Sequence, residues 1–127
     1  MFRNKSNIQS KTSFEVQQCT HRLLTQLKTD KSPLYQPLLN THKCMNSIMA
    51  NFHELPTLND QIKAYDIYSL QLARTTAIID QVPDQYSFYP GKSEFQKRVT
   101  DYYLNIVKES SKKRNFLYQL KELNLSS

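Results

Sequence analysis

Apolar residues recur along the chain in four blocks at helical spacing, separated by prolines and polar clusters. In the first block Val16, Cys19, Leu23 and Leu27 follow one another at steps of three and four, which places them on one helical face. Thr12 precedes Glu15 by three residues in TSFE, a capping-box spacing, and TDKSP ends the block. The second block presents Leu38, His42, Met45, Met49 and Phe52. Ser32 and Pro33 read as its cap and first turn, although Pro37 delays regular helix to near Gln36. It stops at ELPT, because Pro56 disfavours helical geometry at Leu55.

The third block opens at Thr57 with Asp60 and runs to about Val82, closed by Pro83. Leu58, Ile62, Tyr65, Leu72 and Ile79 form its main stripe, while Ile67, Leu70 and Ile78 lie well outside it. The fourth starts at Ser93 and carries Phe95, Val99, Tyr102 and Ile106. Glu109, Ser110, Lys112, Lys113 and Arg114 then put polar groups on every side, so this helix either pauses or leaves the bundle. NFLYQLKEL resumes the pattern with Phe116, Leu117, Leu120 and Leu123.

Four helices of similar length on short connectors predict an all-α fold, an antiparallel up-down-up-down four-helix bundle over 12–110. Residues 1–11 read as a flexible basic N-terminal arm, and 111–127 as a basic amphipathic extension or a short fifth C-terminal helix. The chain's 127 residues contain one glycine, in DQYSFYPGKSEF. Pro90-Gly91 suits the centre of a type II turn, so this stretch is expected to connect the last two helices, with Tyr86, Phe88 and Tyr89 covering the open end of the core.

The same single glycine rules out the glycine-rich motifs of nucleotide binding and of common nucleophilic enzymes, and no Glu-x-x-His pair occurs; no catalytic activity and no cofactor is expected. Cys19-Thr20-His21 and His42-Lys43-Cys44 are mirror images about the turn between the first and second helices and offer zinc-type ligands. Residues two apart on a helix diverge by about 200°, however, so the four do not converge and no metal is assigned. No stretch approaches the roughly 18–20 apolar residues of a membrane span, and no apolar run follows the basic N-terminus. The expectation is a cytoplasmic protein with reduced cysteines.

Charge adds a functional direction. The net charge is +6, distributed as +4 over residues 1–31, −2 over 32–91 and +4 over 92–127. In an up-down bundle the first and last helices are neighbours, so their outer faces form one basic surface that suits phosphates. The first expectation is therefore an accessory or assembly subunit contacting nucleic acid through Arg3, Lys5, Lys11, Lys97, Arg98, Lys112, Lys113 and Arg114. The alternative is a protein-only adaptor, chaperone or immunity-type module using Ile67, Leu70 and Ile78 of helix three with Phe116 and Leu120 of the C-terminal segment, for a partner or for self-association. In helix order and charge alone the layout resembles accessory proteins of diversity-generating retroelements, small subunits of CRISPR effector complexes and bacteriocin immunity proteins. No site residue transfers from them.

Overall fold

The Ser10 hydroxyl accepts a hydrogen bond from the Ser13 amide at 3.2 Å and starts helix α1 (Lys11–Thr29). This serine cap lies two residues ahead of the expected Thr12 start. The reason is Ile8, fully buried in a 3-10 turn over Asn7–Gln9 and anchoring the chain just before the cap. Tyr102 donates its hydroxyl to the Ile8 carbonyl at 2.9 Å, and Gln9 donates to the Met49 carbonyl at 3.0 Å. Residues 7–11 therefore belong to the folded unit, not to an arm. The structure, a computed structural model, describes residues 7–84, 86 and 90–126.

Helix α1 ends in a Schellman motif. The Ser32 amide bonds the Leu27 carbonyl at 2.9 Å and the Lys31 amide bonds the Lys28 carbonyl at 3.1 Å, with Lys31 at φ 54°. A side chain at that left-handed position is strained, so Lys31→Gly is expected to stabilise the fold by about 1 kcal/mol, roughly 4 °C in Tm, checked by thermal unfolding.

Helix α2 (Tyr35–Asn51) takes Pro37 into its first turn, where a missing N–H removes no intrahelical bond, and passes into a 3-10 turn over Phe52–Glu54. Helix α3 (Leu58–Gln81) is capped by Thr57, whose hydroxyl accepts from the Asp60 amide at 3.0 Å, and ends at Val82 before Pro83, as the sequence predicts. Gly91 adopts φ 109°, the positive value expected of it. Lys92 folds back, its Nζ bonding the Val82 carbonyl at 2.8 Å and the Asp84 carboxylate at 3.1 Å, and so satisfies a terminal acceptor of α3. Tyr86 is half-buried against the core, and the Asp30 carboxylate beside its hydroxyl raises its pKa. Phe88 and Tyr89 lie outside the described residues.

Helix α4 (Lys92–Ser126) is one uninterrupted element of 35 residues, about 52 Å long. Among the described residues neither a pause nor a separate fifth helix occurs. Four helices pack as a bundle in which each touches its chain neighbours and α4 closes against α1. The hydrogen bonds give the register of α3 against α4: Gln61 faces Lys113, Asp66 faces Ser110 and Asp80 faces Gln96, an antiparallel pair.

The core is built from the expected stripes, with α3 most deeply embedded. Tyr65, Tyr68, Leu72 and Ile79 of α3 meet Phe95, Val99, Tyr102 and Ile106 of α4 and Val16, Leu23 and Leu27 of α1. Ile78 joins this core at 7% exposure, so the assignment of Ile78 to an outer face is corrected. Its angular offset from the stripe is covered by α2, which packs on that side. Buried threonines are satisfied by their own helices, Thr20 on the Val16 carbonyl at 2.8 Å and Thr75 on the Gln71 carbonyl at 2.8 Å. His42 and Met49, counted into the apolar face of α2, are only half-buried.

Candidate interaction surface

The polar run at 109–114 is where α4 changes the chemistry of its contact with α3. Ser110 is buried and donates to the Asp66 carboxylate at 3.1 Å. Arg114 donates to the Ser110 hydroxyl at 2.8 Å and forms an ion pair with Asp66. Lys113 donates to Gln61 Oε1 at 3.2 Å and lies 5.7 Å from the Tyr65 ring centroid, within cation–π range. Lys112 points outward and pairs with Glu109 at 3.4 Å. Thus the densest basic cluster of the sequence works largely as a clamp between α4 and α3.

Among the other residues expected to hold phosphates, Arg98 pairs with Glu94 at 3.5 Å and also reaches the buried Cys19 thiol, whose pKa burial pushes up. Lys11 and Lys97 are exposed on the adjacent helices α1 and α4. Arg3 and Lys5 lie outside the described residues. The structure brings α1 and α4 together, as a basic face requires, while Arg98, Lys112, Lys113 and Arg114 are each engaged within the chain.

Past Arg114, α4 leaves the bundle. Residues 115–126 form an arm of three turns, about 18 Å, with every described side chain but Leu117 exposed. Phe116, Leu120 and Leu123 are 54%, 38% and 66% exposed. On a helical wheel they lie within about 70° of the Phe95–Ile106 stripe or on it, so the face that packs inward upstream runs on uncovered. The sequence marks Phe116 and Leu120 as interface candidates; it does not show that they share one rigid element with the core stripe. On α3, Ile67 and Leu70 are exposed at 47% and 48% and form a second, smaller apolar site.

Grooves flank α2 on both sides. One, of about 460 Å³, runs between α2 and α3 past Thr41, Cys44, Gln71 and Arg74. The other, of about 420 Å³, lies between α1 and α2 and includes Phe14, Gln17, His21, Arg22 and His42. His21 and His42 therefore face one groove from two helices, whereas their directions read from the sequence send one outward and the other into the core. Cys19 lies buried on the core side of α1, and no group of three or more metal-ligating side chains occurs among the described residues. Burial, with His21 nearby, holds His42 below the usual histidine pKa. The folded state then binds its proton less readily than the unfolded chain, so stability is complete above the unfolded value of 6.5 and falls as pH drops below it. Tm is expected to be flat from about pH 8 to 7 and to fall towards pH 5, with His42→Gln reducing the slope.

Among the described residues no helix is long and apolar enough to cross a membrane. Comparison with protein-family models, with curated proteins and with solved structures gives no match for this chain.

Proposed function

We propose that this protein is a non-catalytic interaction subunit that engages another protein surface through the apolar face of its C-terminal helical arm. The observation that carries this reading is the row Phe116, Leu120 and Leu123, exposed on the side of α4 that is core upstream. Single exposed apolar residues are ordinary, whereas a row of them along one helical face is the surface used in helix pairing and helix-in-groove docking. Ile67 and Leu70 on α3 supply a further apolar contact point.

Nucleic-acid contact across α1 and α4 is the second reading, favoured by exposed Lys11 and Lys97 on adjacent helices in a chain of net charge +6. The two are separated by measuring, on the same preparations, affinity for duplex DNA, single-stranded DNA and RNA across a salt series, and protein contacts by in-cell cross-linking. With the arm as the functional surface, Leu120→Glu removes the protein cross-links and generic nucleic-acid affinity is weak. Strong binding that falls steeply with salt, is lost in Lys11→Glu/Lys97→Glu and is indifferent to Leu120→Glu would overturn the protein-binding reading.

A further inference from the structure

Resting on that reading, we infer that the partner covering the arm is the arm of a second copy of this chain, paired antiparallel in a twofold dimer. The first ground is periodicity. Phe95, Val99, Tyr102 and Ile106 recur at alternating steps of four and three, and the same register passes through Glu109 and Lys113 to Phe116, Leu120 and Leu123. A seven-residue repeat of this kind is the seam of paired helices. As far as Lys113 the seam is covered by the chain's own bundle, while past Arg114 it is open.

Charge is the second ground. The chain carries +6, yet residues 115–126 contain one lysine and one glutamate, Lys121 and Glu122, and are neutral. Both project about 130° away from the centre of the apolar row, and the positions flanking it are Leu117, Gln119 and Asn124. An arm designed to grip phosphate or an acidic surface would be basic; this one is a neutral part of the molecule, on which two like-charged copies meet with less repulsion than on its basic faces.

Geometry fixes the orientation. The bundle lies on the seam side of α4, so two copies paired in parallel through that side would place both bundles in the same volume. Antiparallel pairing removes the conflict: each arm occupies the space beyond the end of the other's bundle, with the two Leu120 side chains near the twofold axis and Phe116 opposite the partner's Leu123. The contact is isologous and closed, and it leaves no free seam for further growth. A helix pair of three turns with two tip-to-bundle contacts falls at the low end of interface size, so the dimer is expected to be concentration-dependent.

Sedimentation of the full chain from about 5 to about 300 µM is expected to show a monomer–dimer equilibrium that tightens as salt is raised, because two molecules of equal charge repel less. In a Cys44→Ser background, Leu120→Cys is expected to form an interchain disulfide on mild oxidation, and Phe116→Cys to cross-link to Leu123→Cys in a mixture but not to itself. A chain that stays monomeric at the highest concentration overturns the self-pairing while leaving open a different protein on the same face. Self-cross-linking of Phe116→Cys as readily as of Leu120→Cys overturns the antiparallel arrangement.

Discussion

Lys113→Glu combined with Arg114→Glu is expected to lower the unfolding free energy by about 2–3 kcal/mol, roughly 8–10 °C in Tm, whereas Lys112→Glu changes it by less than about 0.5 kcal/mol. The three residues are consecutive and share one charge, so composition gives no reason to separate them. Their surroundings do. Glutamate at 113 loses the bond to Gln61 and brings a carboxylate over the negative face of the Tyr65 ring. Glutamate at 114 removes the donor to Ser110 and faces Asp66 with a like charge. The Arg114–Asp66 pair is 42% and 46% exposed, so solvent screening holds its own share to about 1 kcal/mol, and the rest comes from the new repulsion and from Lys113. Lys112 is 63% exposed and pairs with a residue three positions back on its own helix. Thermal or urea unfolding of the single and double variants decides the matter. Equal losses at all three positions would show that the run is solvated rather than a clamp.

Tyr102 carries the largest single-residue effect. It is 1% exposed, packs edge-on to Tyr68 with ring centroids 5.8 Å apart and gives its hydroxyl proton to the Ile8 carbonyl. Burial, reinforced by neighbouring Tyr68, raises its pKa and keeps the phenol protonated as a donor. Tyr102→Ala removes a ring from the centre of the α3–α4 seam and is expected to cost about 4 kcal/mol, in the range for aromatic truncation in a core. Tyr102→Phe keeps the ring and leaves a buried carbonyl without its donor, at about 1–2 kcal/mol. The two variants differ in kind as well as size. In Tyr102→Phe the loss is expected to be local, with amide exchange rising around Asn7–Gln9 and the start of α1, because Ile8 is held to α4 by that hydroxyl.

Element boundaries marked by chemistry were readable in advance. Thr57 with Asp60, Val82 before Pro83 and the positive φ of Gly91 each follow from what a side chain or ring permits the backbone to do. The start of α1 was not, because Thr12–Glu15 and Ser10–Ser13 both offer local capping and the choice falls to a tertiary contact, the burial of Ile8. The polar stretch before Asn115 misleads for a related reason. Ser110, Lys113 and Arg114 lie on the inward side of α4, and their partners Gln61, Tyr65 and Asp66 are about 50 residues away, visible only once the antiparallel register is known. The consequence reaches the candidate site. Lysine and arginine that read as a phosphate-binding run are bound within the chain, and the apolar residues beyond them belong to the same rigid helix and are left uncovered.

Two glutamate substitutions on that helix test the interaction surface most directly. Leu120 and Leu104 are both exposed leucines of α4, at 38% and 58%, on different sides of it. Neither is core, so both variants are expected to keep wild-type helix content and Tm. Measured by sedimentation at about 0.5 M salt, where surface charge is screened, Leu120→Glu is expected to abolish association of the chain while Leu104→Glu leaves it intact. Loss of association in Leu104→Glu alone, or no change in either, would contradict the assignment of the arm's apolar face as the surface through which the chain pairs with itself.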